Sequence, residues 1–222
     1  MTLFTLDAAT LPISVSTLII AGWAGRDAAA VQHHIDELAA LGVKPPRETP
    51  LFYRLGASLL TTGAMIEVAG TGSTGEAEAV LIGHAGEMLV GVGSDHTDRA
   101  AEAAGVTWSK QMCPKPVSAA LWRYADVAPH WDTLVLSSRV RQNGVWRDYQ
   151  RGTMTGLRHP DDLMARYART TRLPDGTAMY CGTMPAIAPI SFADAFEATL
   201  SDPVLGRTLM CRYAIQALPL AD

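Results

Sequence analysis

The run Gly75-Glu76-Ala77-Glu78-Ala79-Val80-Leu81-Ile82-Gly83 sets two acids inside an apolar, strand-like segment, and whatever fold forms must accommodate both charges. Side chains along a strand alternate between faces, so Glu76 and Glu78 project from the same side, two residues apart. Like charges that close repel unless a cation lies between them or water surrounds them. A second apolar run closes at Gly91-Val92-Gly93-Ser94-Asp95-His96-Thr97-Asp98-Arg99, and if the two strands pair, Asp95 supplies a third oxygen. Three carboxylates with no nearby thiolate suit Mg²⁺ or Mn²⁺ better than zinc. A solvated strand face with alternating acids fits the same spacing.

Short β segments account for most of the remaining chain. Leu11 to Ala21 reads as β structure, as do Leu51 to Leu55, Ile66 to Val68 and Ala178 to Thr183. Asn143-Gly144 is a hairpin turn signal between Trp131 to Val140 and Val145 to Gln150. Phe196 to Leu200 and Arg207 to Ala217 form a final hairpin around Asp202 to Gly206. Gly70 to Gly75 lacks the Lys-Ser/Thr ending of a phosphate loop and precedes a strand. Gly105 to Pro116, punctuated by proline, reads as an irregular loop.

Helices are few. Asp27 is an N-cap candidate, Val31, Ile35, Leu38 and Leu41 recur at near-helical spacing, and Gly42 stops the run, which predicts a helix from about Asp27 to Leu41. Both His34 with Glu37 and His33 with Glu37 are neighbours on that helix. An acid so placed fixes an imidazole tautomer and raises its basicity, as a general base requires; an ordinary surface ion pair has the same spacing. A second helix is predicted from about Asp161 to Ala168. The sum is an α+β, mostly β fold dominated by antiparallel sheet, in one large domain or two small ones.

Bulk properties exclude several roles. A net charge of -4 without a basic cluster gives no footprint for nucleic acid. The longest apolar run, Leu11 to Ala21, is interrupted by Ser14, Ser16 and Thr17 and is too short for a membrane helix. No Lys or Arg precedes Arg26, so no targeting peptide is expected, and the cytoplasm is the default location. The cysteines, Cys113, Cys181 and Cys211, match neither a disulfide framework nor a zinc site. Cys113, near Lys110 and Lys115, is either a nucleophile or an inert buried thiol. His84 and His96 are read as core or surface histidines, with metal ligation as the alternative and His96 adjoining Asp95. Trp23, Trp108 and Trp122 are assigned to core or subunit contact, with the pocket mouth as the alternative for Trp108. A small-molecule partner is expected.

Taken in order, His34-Ile35-Asp36-Glu37, Glu76-Ala77-Glu78, Ser94 to Arg99, Lys110 ahead of Pro116-Val117-Ser118-Ala119, and Gly182-Thr183 resemble the fumarylacetoacetate hydrolase family. The resemblance runs from about Ile19 to Tyr213. It implies a single catalytic domain over residues 1–222, a mixed β-sandwich roll like that family's C-terminal domain, with a few short helices, assembled as a homodimer. It also implies one Mg²⁺ or Mn²⁺ held by Glu76, Glu78 and Asp95, and a water-activating dyad of His34, rather than His33, with Glu37. Lys110 takes the active-site lysine position, with Lys115 as the alternative, and Arg54, Gly182 and Thr183 are the substrate contacts. The activity implied is cleavage of a C–C bond in a small 2-oxo or β-dicarbonyl acid of acylpyruvate type. Oxo-acid decarboxylation or tautomerisation is the alternative, and a non-catalytic small-ligand-binding protein a further one.

The chain departs from the family's pattern at the Asn-Tyr expected after Gly25-Arg26, at Phe52-Tyr53-Arg54 in place of Phe-x-Lys, at Asp175-Gly176, and at Gly182-Thr183-Met184-Pro185-Ala186. These differences mark a divergent branch, and the exact substrate does not carry over.

Overall fold

A computed structural model describes every residue except 41, 188, 191 and 222. In chain order it contains β1 (Thr2–Leu6), β2 (Ala9–Ile13), β3 (Thr17–Gly22), α1 (Ala28–Ala40), β4 (Leu51–Leu55), β5 (Leu60–Thr61), β6 (Met65–Ala69), β7 (Ser73–Thr74), β8 (Ala77–His84), β9 (Glu87–Ser94) and β10 (Thr97–Asp98). The chain continues with α2 (Val106–Gln111), β11 (Lys115–Pro116), β12 (Ala120–Arg123), α3 (Tyr124–Val127), β13 (Val135–Gln142), β14 (Val145–Thr153), α4 (Pro160–Ala168), β15 (Thr177–Tyr180), β16 (Ala195–Asp202) and β17 (Arg207–Leu218).

Two sheets dominate. One has eight strands in the order β2-β1-β12-β9-β8-β15-β3-β4, and the other five in the order β14-β13-β16-β17-β6. Alternation along β8 explains how they stack. Ala77, Ala79 and Leu81 belong to the core between the sheets, with Phe196, Leu200 and Tyr213 from the opposing layer. Val80 and Ile82 point the other way, into a second cluster with Leu18, Ile20, Tyr53, Leu55 and Tyr180. A strand buried on both faces has no solvated side on which to leave a charge, so Glu78 on β8 is enclosed. Most pairings are antiparallel, as expected, while β1/β12, β3/β15, β6/β17 and β5/β11 are parallel.

The predicted first helix is α1, its N-terminus capped by Asp27 Oδ1, which accepts from Ala29 N at 2.8 Å and Ala30 N at 3.2 Å. Its expected last residue, Leu41, lies outside the described residues. The Asn-Gly hairpin is observed, with φ of 50° at Asn143 and 79° at Gly144. Its first strand begins at Val135, because Trp131 is buried in a 3₁₀ segment. Leu11 to Ala21 is not one β segment: β2 pairs with β1, and β3 pairs with β15 and β4, so the chain leaves one position and enters another at residues 14–16. Residues 105–116 correct the loop reading, since Val106–Gln111 is helical and both prolines fall beyond its end. Among the described residues no helix is long and apolar enough to cross a membrane.

Candidate metal centre

β8 and β9 pair antiparallel, with Ala77 opposite Ser94, and just past that rung the Asp95 N–H donates to the Glu76 carbonyl at 3.0 Å. The main chains that carry two of the acids are thereby joined directly. Glu76, Glu78 and Asp95 each offer a carboxylate oxygen within 4.8 Å of the others. Glu78 and Asp95 are buried and Glu76 is half-buried. Gly75, directly ahead of Glu76, lies against Phe196 of the opposing sheet, and a Cβ there would sit 2.5 Å from the ring.

Three cations surround this cluster. Lys110, on α2, hydrogen-bonds Asp95 Oδ2 and stands 3.6 Å from Glu76 Oε2. Lys115 is wholly buried, 3.3 Å from Asp95 Oδ1, and donates to the carbonyls of His96, Lys110 and Cys113. Arg99 pairs with Glu76 at 2.8 Å and Glu102 at 2.9 Å and donates to Thr74 Oγ1 at 2.7 Å. Lys115 is thus tied into the main chain and meets Asp95 alone of the three acids, whereas Lys110 meets both Asp95 and Glu76.

The acids respond differently to this field. Burial would raise Asp95, but Lys110 and Lys115 outweigh it and hold its pKa below the usual aspartate value. Among the described residues Glu78 has no paired cation; burial, Asp95 and Glu76 together hold it well above the usual glutamate value. Lys110 is buried, yet Asp95 and Glu76 raise its pKa and keep it charged. Among the described residues the fully buried Asp95 Oδ1 accepts no hydrogen bond, and Lys115 Nζ stands 3.3 Å from it. A carboxylate oxygen without a hydrogen bond, beside two further acids, is a donor set that fits a hard divalent cation.

Gly182 and Thr183 close over the cluster. Gly182, at φ 97°, donates its N–H to Glu78 Oε2 at 2.7 Å, and a Cβ there would lie 2.7 Å from Ala24 Cβ. Thr183 Oγ1 donates to the Ala77 carbonyl at 2.8 Å and accepts from Gln150 Nε2 at 2.8 Å. Gln150 is a buried residue that sequence reasoning missed. Its Oε1 accepts from Ala77 N at 3.0 Å and Ser138 Oγ at 2.8 Å, while Nε2 also donates to the Met184 carbonyl at 2.6 Å.

His34 and His33 both contact Glu37, at 3.4 and 3.2 Å, on an exposed part of α1. His34 alone also meets the Trp23 ring, 5.8 Å away between centroids. Trp23 Nε1 donates to Tyr53 Oη at 3.1 Å, and Lys110 Nζ lies 5.9 Å from the Tyr53 ring centroid. A run of contacts therefore leads from His34 through Trp23 and Tyr53 to Lys110. Trp23 adopts a φ of 59°, a left-handed conformation uncommon for a bulky residue. It is half-buried beside the dyad, not core. Arg54 is not brought to the cluster: strand alternation puts Tyr53 on that side, while the exposed Arg54 donates to the Ser16 carbonyl at 3.1 Å.

The other candidates have other surroundings. His96 is enclosed between Tyr213 and Ser73, and burial, with Lys115 and Arg99 nearby, pushes its pKa down to about 3. Burial pushes the Cys113 thiol up to about 11, which suits an inert core residue and not a nucleophile. Trp108 is 74% exposed and Trp122 is buried. A surface cavity of about 500 Å³ is lined by Val68, Ser73, Arg147, Phe192 and Ile215 among others and contains none of the three carboxylates. The converging oxygens locate the chemistry better than that hollow does.

The profile of a family described as "Protein of unknown function (DUF2848)" matches residues 21–213. No curated protein sequence matches significantly. Among solved structures, a 2-keto-3-deoxy-D-arabinonate dehydratase complexed with magnesium and 2,5-dioxopentanoate is similar with a TM-score of 0.63 at 16% identity, over 94% of this chain and 75% of that one. A yeast fumarylacetoacetate hydrolase family protein is similar with a TM-score of 0.60 at 16% identity, over 93% and 95%. A 4-oxalocrotonate decarboxylase from Pseudomonas putida G7, complexed with magnesium and adipate, gives 0.56 at 15%, over 91% and 78%. At these identities the likeness is one of fold: the chain has the mixed β architecture of fumarylacetoacetate hydrolase family proteins.

Proposed function

This chain belongs to the DUF2848 family, and we propose that it is a divalent-metal-dependent enzyme that cleaves a C–C bond in a small 2-oxo or β-dicarbonyl acid. The observation that carries the reading is the convergence of Glu76, Glu78 and Asp95 within 4.8 Å, with Asp95 Oδ1 left, among the described residues, without a hydrogen bond. These three residues would hold Mg²⁺ or Mn²⁺, consistent with the magnesium complexes of proteins that share the fold. A bound divalent ion supplies the positive charge that stabilises an enolate as the adjacent bond breaks.

The chain's own residues do the rest. Lys110, kept charged by its acids, pairs with a substrate carboxylate. The Gly182 N–H fixes the orientation of Glu78. His34, steered by Glu37 and backed by Trp23, takes a proton from water. Gly182-Thr183 borders the substrate, and the protein works as a homodimer, which sedimentation checks. Thorough chelation should abolish turnover on a panel of acylpyruvates, oxaloacetate and 2-oxo-3-deoxy sugar acids, and added Mg²⁺ or Mn²⁺ should restore it. Turnover that survives chelation overturns the reading.

The exposure of the dyad supports a second reading, decarboxylation or tautomerisation of an oxo-acid, which needs no water-activating base. Under it, His34→Ala leaves oxaloacetate turnover intact.

A further inference from the structure

The strand β17 reaches the metal centre through one side chain. Tyr213 donates its proton to Ser94 Oγ at 2.8 Å, and Ser94 Oγ also accepts the Glu76 main-chain N–H at 3.1 Å. A phenol has a single proton. With that proton on Ser94, the 2.9 Å contact between Tyr213 Oη and His96 Nδ1 is one in which the imidazole donates. His96 therefore carries its proton on Nδ1, and Nε2 accepts from Ser73 Oγ at 2.9 Å. The run has one direction: Ser73 to His96, His96 to Tyr213, Tyr213 to Ser94. All four side chains are buried, and the imidazole and phenol rings meet edge-on at 5.7 Å.

On the basis of the metal reading above, we propose that Tyr213 and His96 are positioning residues for the divalent cation, acting through Ser94 on the main chain of Glu76. Glu76 lies just before β8, outside the ladder, and among the described residues its N–H is held by Ser94 Oγ alone. A serine hydroxyl has three staggered positions. Donation from Tyr213 fixes the Ser94 oxygen as an acceptor facing Glu76, and His96 in turn fixes the phenol. Loss of that chain frees the segment on which the half-buried ligand sits, just where its carbonyl is bonded to Asp95. Neither ring belongs to the carboxylate set, and the four members come from β7, β9, the turn before β10, and β17, so no sequence spacing announces them.

The test is a calorimetric titration of Mn²⁺ into wild type, Tyr213→Phe, Ser94→Ala and the double variant, with thermal unfolding of each. Tyr213→Phe should weaken Mn²⁺ binding roughly tenfold, the lower end of what loss of a supporting hydrogen bond does at metal sites. The double variant should bind no more weakly than Ser94→Ala, because Tyr213 acts only through Ser94. A Tyr213→Phe protein that binds like wild type overturns the inference, as does a double variant whose losses add. Wild type that takes up no Mn²⁺ removes the metal reading itself and this inference with it, whereas wild-type uptake with unchanged variants removes the inference alone. If Tyr213→Phe does not fold, ¹⁵N-histidine spectra of wild type decide instead: a His96 protonated on Nδ1 is expected at neutral pH, and a proton on Nε2 overturns the proposal.

Discussion

The Gln150 carboxamide donates to the Thr183 hydroxyl at 2.8 Å, and the carboxamide is fully committed. Gln150 accepts twice and donates twice, and the Thr183 proton goes to the Ala77 carbonyl. Thr183 accordingly has no hydroxyl proton left for a substrate. Thr183→Val should lower stability by about 1 to 2 kcal/mol, with a much smaller effect on KM. Gln150→Leu, which orphans the Ala77 N–H and the Met184 carbonyl together, should cost roughly 3 kcal/mol in denaturant unfolding. A large KM effect of Thr183→Val without loss of stability would contradict this assignment.

Glu78 and Asp95 depend on pH with opposite signs. Glu78, raised by burial and by Asp95 and Glu76, favours the metal-free fold fully below the unfolded-state glutamate pKa; that contribution is lost as pH rises through its raised folded value. Asp95 is buried but lowered by Lys110 and Lys115. It adds stability above the unfolded aspartate pKa and loses it as pH falls through the folded value. Glu78→Gln should therefore leave the metal-free protein at least as stable as wild type at neutral pH while Mg²⁺ uptake disappears. Unfolding curves and calorimetry on one preparation test both halves.

Lys110 and Lys115 should separate cleanly. Lys115→Met removes the buried partner of three carbonyls and of Asp95 and is expected to destabilise by about 3 to 5 kcal/mol or prevent folding. Lys110→Met should fold and bind metal yet lose turnover. Circular dichroism beside activity checks the pair, and an active Lys110→Met protein refutes its role.

His33 and His34 share Glu37, but only His34 touches Trp23. Hydrolysis should collapse by a factor on the order of 10² or more in His34→Ala and change little in His33→Ala. Equal losses in a matched kcat comparison would sink the distinction.

All three thiols are buried, and burial raises each pKa, to about 11 at Cys113 and about 12 at Cys211. A thiol-reactive dye should label none in the native protein at neutral pH and all three after unfolding. Fast native labelling of Cys113 would restore it as a nucleophile candidate.

Much of the centre is legible because carboxylates in apolar runs are anomalous. Spacing alone fits a solvated strand face as well; the family resemblance names Glu76, Glu78 and Asp95 as ligands, and the burial of Glu78 in the structure removes the solvated face. Gln150 escaped for a physical reason. The β13/β14 ladder shifts register between Ser138 and Arg139, pairing them with Gln150 and Asp148, so Tyr149 and Gln150 are consecutive and both buried. Period-two reasoning fails across such a bulge. The helix α2 was hidden by Gly105 and two prolines that bracket it and do not interrupt it. Trp23 and Tyr53 meet only because β3 and β4 pair, a relation between residues thirty positions apart.

Every carboxylate of the centre, with Lys110, Gly182 and Thr183, belongs to the eight-stranded sheet or its connections, while Gln150 and Tyr213, which hold them, come from the other layer. At Gly75 the layers touch with no gap, the Phe196 ring filling the space a Cβ would take. A side chain at position 75 is a wedge driven into the seam, and Glu76 is the next residue along the crack. Such damage would spare most of the secondary structure and spoil the chemistry first, so the site is best regarded as a joint between two plates, whose failures begin at the hinge pin.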